Sequence, residues 1–143
     1  MPISDADILT VRRFYAARDL SSMESCFAPE AVWHFPGKSA VAGDHRGRPA
    51  IRDAIRDFQA RIGPLSGGTF RGGLLDVAVG EHYIVAVQHG SAQHEGRKFD
   101  VTACQLMRVE AGQIVEVWAL FGSVRARLLL AGHLKRAFAS SAT

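Results

Sequence analysis

Cysteine is scarce in this 143-residue chain, which carries only Cys26 and Cys104. Two thiols outside any CxxC spacing make neither a disulfide framework nor a thiolate metal site. Both sit among apolar neighbours and read as buried thiols rather than nucleophiles. Long apolar runs are missing too. The candidate Leu128-Leu129-Leu130-Ala131 is broken by Gly132 and His133, far short of the ~20 residues a membrane span needs. The start, Met1-Pro2-Ile3-Ser4-Asp5, has no basic segment leading into an apolar one, so no signal peptide is expected. A cytoplasmic protein with no membrane partner is the expectation.

Acidic residues stop at Glu116, while Arg125, Arg127, Lys135 and Arg136 follow it. The net charge is nevertheless only +3. No aromatic or glycine-rich recognition motif accompanies the basic end, so nucleic acid is not an expected partner. His82, His89, His94 and His133 are scattered, without the i, i+4 spacing or the carboxylate that a helical zinc site uses, so no metal is expected. No GxSxG elbow is present, and no glycine cluster opens a helix as a phosphate loop does.

What is present fits one α+β domain. Ser4 precedes Asp5 and Asp7 as a helix cap, and Ile8, Val11, Phe14 and Tyr15 recur at helical spacing. A short second helix restarts at Asp19, carries Met23, Cys26 and Phe27 on one side, and stops at Pro29. Ala31–Phe35 is a strand by its aromatic and β-branched content, and a loop from Lys38 to Gly47 follows it. Pro49 opens a third helix with the stripe Ile51, Ile55, Phe58 and Ile62. Four strand-like runs come next: Phe70–Val79, Tyr83–Gln93, Lys98–Val109 and Gln113–Phe121. Their short turns predict antiparallel pairing, and helices followed by hairpins predict an α+β layer. Residues 123–139 carry a last apolar stripe, expected to form a C-terminal helical extension of the single domain 1–143.

The segments Phe27–Gly37, Ala42–Ile51 and Ile114–Gly122 resemble the nuclear transport factor 2-like superfamily, which includes ketosteroid isomerases, limonene epoxide hydrolases and SnoaL-like polyketide cyclases. The resemblance implies a cone: a curved, largely antiparallel sheet with helices on its concave face, enclosing a pocket. It also implies a homodimer through the convex face, and chemistry without metal or organic cofactor. Within that frame the pocket phase of the strands is Trp33 and Phe35; Ala86, Gln88, Gly90 and Ala92; Val101, Ala103, Gln105 and Met107; and Val117, Ala119 and Phe121. Phe14 is added from the first helix, with Tyr15 adjacent but turned about 100° around it.

The acids of the better-known relatives are absent at the matching positions. Phe35, Phe14 and Gln105 stand where a ketosteroid isomerase carries its base and its two oxyanion donors. Gln88 and Ala119 stand where an epoxide hydrolase carries its arginine and an acid. The expected pocket is therefore aromatic and aliphatic, with Gln88 and Gln105 pointing inward. Those amides either orient a ligand or satisfy each other or a buried water.

Proton transfer has three candidate residues, His34, Asp44 and His45. His34 titrates near neutrality and serves the pocket if a bulge shifts the strand phase by one residue; otherwise it faces the outer side. Asp44 and His45 are either a base with its orienter or turn residues ahead of the third helix. The leading expectation is a cofactor-independent lyase, cyclase or isomerase acting on a hydrophobic carbonyl compound. The alternative is a non-catalytic ligand-binding or dimeric interaction protein of the same fold.

Overall fold

The computed structural model describes residues 2–37 and 41–121. The elements run α1 (Asp5–Ala16), α2 (Leu20–Glu24), β1 (Phe27–Phe35), β2 (Gly43–Arg46), α3 (Arg48–Leu65), β3 (Arg71–Val79), β4 (Ile84–His94), β5 (Arg97–Glu110) and β6 (Gln113–Phe121). The strands form one curved sheet in the order β2-β1-β6-β5-β4-β3. The segment 123–139, expected to be helical, lies outside the described residues.

Helix α1 begins where the sequence predicts. Ser4 accepts a hydrogen bond from the Asp7 backbone N–H, and the Asp7 carboxylate accepts one from the Ser4 N–H. This reciprocal arrangement satisfies two of the helix's orphan donors. Asp7 is nevertheless buried, with 4% of its surface exposed, because its second oxygen accepts the Gly112 N–H at 2.8 Å. Thr10 donates to the Gly112 carbonyl at 2.7 Å. The start of α1 is thus pinned to the β5–β6 turn.

Both β4–β5 and β5–β6 are two-residue hairpins. Their turns, Glu95-Gly96 and Ala111-Gly112, have φ values of 51° and 77°, and of 50° and 73°. Two successive positive φ angles match the right-handed twist of the flanking strands. The sheet is mixed rather than wholly antiparallel, because β1 runs parallel to β6, with Trp33 opposite Val117 and His34 opposite Trp118.

Three local expectations are corrected. The second helix ends at Glu24, well before Pro29, and Phe27 starts β1. A register shift between Phe27 and Val32 absorbs Pro29 into that strand, as a bulge can. The expected loop 38–47 contains strand β2, which pairs with the free edge of β1 at Val32–Phe35.

Strand alternation sends Ala86, Ala103, Gln105, Met107, Val117, Ala119 and Trp33 to the helix-covered inner face, where all are buried. The main core joins Val11, Phe27, Trp33, Ile51, Ile55, Ile84, Met107 and Ile114. Among the described residues no helix is long and apolar enough to cross a membrane.

Candidate functional site

Between the helices and the inner face lies a partly enclosed cavity of about 330 Å³. Phe14 and Tyr15 of α1, Trp33 and Phe35 of β1, Gln88 of β4 and Gln105 of β5 line it. Met23, Val41, Ile55, Phe58, Ile62 and Phe70 complete an apolar wall. The rings interlock: Phe14 meets Tyr15 edge-on at 5.2 Å and Phe27 at 5.5 Å, and Phe58 meets Phe70 at 6.0 Å. Gly90 leaves room for the Phe70 ring, since a Cβ there would stand 3.3 Å from it.

Tyr15 reaches the cavity although it lies about 100° from Phe14 on the helix. Its hydroxyl donates to Gln88 Oε1 at 2.7 Å, so one of the two inward amides is satisfied by α1 rather than by the other amide. Burial, with a smaller contribution from Cys104, pushes the phenol well above its ordinary pKa, so Tyr15 is a neutral donor and no base. Gln105 is 5% exposed and its Oε1 has no partner. The Trp33 indole Nε1, also on the wall, has none either.

Met107, Val117 and Ala119 share the inner face but are packed into the core beside the cavity and do not line it. Phe121 closes β6, and its side chain falls outside what is described. The stripe Ile55, Phe58 and Ile62, legible in the sequence as core, is also cavity wall. The signal was present, but helical periodicity does not distinguish packing against a sheet from facing a void.

The three residues expected to transfer protons are not brought into the cavity. His34 stays in phase with its strand and faces outward, because the bulge in β1 lies before Val32 and leaves the Trp33–Phe35 alternation intact. There His34 Nδ1 lies 2.7 Å from Asp44 Oδ1, and Nε2 lies 2.5 Å from Glu116 Oε2. Two carboxylates, one on each ring nitrogen, call for a donor at both, which is the imidazolium. Accordingly Glu116 first and Asp44 second raise the His34 pKa, and His34 lowers both carboxylates. The ring stacks on Trp118 at 5.3 Å, as a cation does on an indole face. His45 donates from Nε2 to the Val41 carbonyl at 2.6 Å and does not line the cavity. Glu116, which also meets Arg108 at 3.3 Å, was missed in the sequence, since only the parallel β1–β6 pairing brings it to His34.

His89 borders the cavity, but its ring lies on the outer face in contact with Asp100. No Asp, Glu, Lys or Arg is among the described lining residues. Among the described residues no group of three His, Cys, Asp or Glu side chains converges as a metal site requires.

The sequence pattern of the SnoaL-like domain matches residues 11–117. The chain belongs to the SnoaL-like domain family. An uncharacterized protein of Mycobacterium tuberculosis is 32% identical over 117 residues, 79% of this chain and 86% of the relative. Among solved structures, this SnoaL-like chain is similar to Bal32a from a soil-derived mobile gene cassette. The two are 32% identical with a TM-score of 0.68, over 83% of this chain and 91% of Bal32a. A nuclear transport factor 2-like protein of unknown function from Burkholderia pseudomallei shares the fold, with a TM-score of 0.71 at 20% identity over 89% of this chain and 98% of its own.

Proposed function

We propose that this SnoaL-like protein binds a hydrophobic carbonyl-type small molecule in the cavity. It acts on that molecule as a cofactor-independent lyase, cyclase or isomerase would, by orientation and hydrogen-bond polarisation. The observation that carries this reading is an apolar, aromatic cavity with neutral polar side chains, Tyr15, Gln88 and Gln105, on its wall. Neutral donors fixed in an apolar site polarise a carbonyl more strongly than water does, and closing two ends of one ligand together needs positioning more than a strong base. Calorimetric titration with a panel of apolar aromatic ketones tests it. Micromolar binding that weakens in Gln88→Leu is the expected result; no binding by any member, in a protein with an intact melting transition, overturns it.

The outer face supports a second element of the proposal, a homodimer. Trp118 and Tyr83 meet edge-on at 6.2 Å, and Leu120 and Tyr83 are 50% and 44% exposed. Val85, Leu106 and Cys104 adjoin them in register, half-buried. An apolar strip of this kind on a sheet face suits a self-complementary contact. Sedimentation should show a dimer, with Leu120→Arg shifting it to monomer; a monomeric wild type removes the dimer and leaves the cavity reading untouched.

A further inference from the structure

The cavity stops short of the end of the sheet, and one aromatic ring stands where it stops. The inward row of β4 runs Gln88, Gly90, Ala92, and that of β5 runs Gln105, Ala103, Val101. Gln88 and Gln105 line the cavity. Ala92, further along, does not. With Ile62 it forms a small second core, packed by Phe58, Phe70 and Val101. Phe70 belongs to both regions, as a packing residue of that core and as cavity wall.

The Phe70 ring rests on a floor without side chains. Gly72 of β3 lies opposite Gly90 of β4. A Cβ on Gly72 would stand 3.5 Å from the ring, and one on Gly90 3.3 Å from it, the latter inside the ~3.5–4.0 Å of an ordinary carbon contact. The ring is also held in place. Thr69, just before it, accepts the Gln93 N–H at 2.7 Å and donates to the Gln93 carbonyl, and Phe58 meets it edge-on at 6.0 Å. Because neither glycine carries a side chain, the ring itself fills the floor between Gln88 and Ala92.

We propose that Phe70 sets the length of ligand the cavity accepts, its ring being the end wall against which an apolar chain stops. This inference rests on the reading of the cavity as a small-molecule site and adds a size limit to it. Each methylene that enters gains affinity by leaving water. Once the chain meets the ring, the next methylene finds no space, since a close-packed wall yields only at a cost in strain.

Methyl n-alkyl ketones of increasing chain length test the proposal, titrated against the full chain and followed by the fluorescence of Trp33, a wall residue. In the wild type, affinity should rise about fourfold per methylene and then level off at a limiting length. Phe70→Ala should extend that limit by about two methylenes. The double variant Phe70→Ala/Gly90→Val refills the vacated floor from the neighbouring strand and should bring the limit back towards the wild-type length. Phe70 also packs the second core, so melting curves accompany each variant. Phe70→Leu keeps more of that packing and should extend the limit by about one methylene. A limit unchanged in both Phe70→Ala and Phe70→Leu overturns the end-wall assignment and leaves the small-molecule reading standing. A longer limit that persists in the double variant overturns it too, because general loosening rather than vacated space then explains the gain. Wild-type protein that binds no ketone of the series overturns the small-molecule reading, and the size limit with it.

Discussion

Tyr15 donates its phenolic hydrogen to the side-chain oxygen of Gln88, 2.7 Å away, and this single bond ties the end of α1 to strand β4 across the cavity. It fixes the phenol as a wall group and keeps the Gln88 amide turned inward. Replacing Tyr15 by Phe keeps the ring packing against Phe14 and removes the tie. The expected cost is about 1 kcal/mol, a fall in Tm of about 3 °C. Because burial raises the phenol's pKa, an ultraviolet titration should show one tyrosine resisting ionisation beyond the ordinary phenol range, and that resistant component should be missing from Tyr15→Phe.

Gln105 predicts the opposite sign. Its Oε1 is buried with no hydrogen-bond partner among the described residues, and such an atom carries an uncompensated desolvation cost. Gln105→Leu, close in volume, should therefore raise stability by about 1 kcal/mol. A denaturant melt reads this directly. A destabilised variant would mean that the amide holds the fold together.

Asp7 should be among the costliest polar positions outside the cavity. Its carboxylate both caps α1 and accepts the Gly112 N–H. Asp7→Ala removes both at once and leaves the part-buried Gly112 N–H unpaired, so a loss of about 2 kcal/mol is expected. Asp7→Asn, which keeps an acceptor oxygen, should recover about half of it. Equal losses in the two variants would show that the charge, not the acceptor, matters.

The His34 cluster gives a pH dependence with two limits. His34 has its pKa raised by Glu116 and Asp44. Its contribution is therefore fully present below the unfolded histidine pKa of about 6.5 and is lost as pH rises through the higher folded value. Glu116 and Asp44 have theirs lowered. Their contribution is present above the unfolded carboxylate range and is lost as pH falls through the folded values. The Tm difference between the wild type and His34→Gln should thus be greatest between about pH 5 and 6.5 and shrink on both sides. A difference that is flat with pH would show that stacking on Trp118, and not charge, sustains the site.

The sequence by itself determined most of the elements, though not strand β2 or the bounds of α2 and β1, and the family resemblance set the facing of the strands. Caps, turn residues and a period of two or 3.6 are local properties, so Ser4 and the Glu95-Gly96 and Ala111-Gly112 turns were legible, while the inward set Trp33, Gln88 and Gln105 followed from alternation once the resemblance supplied its phase. Only the tertiary structure decided what those side chains meet. The parallel β1–β6 pairing brings Glu116 to His34, 82 residues away, and turns a candidate base into an imidazolium held on the outer face. The packing of α1 over β4 brings Tyr15 to Gln88, 73 residues away. It leaves Gln105, equally polar and equally inward, with an oxygen that nothing among the described residues satisfies. Strand alternation is set by bond geometry between neighbours, whereas hydrogen-bond partnership is set by distances that exist only once the sheet has closed over its helices.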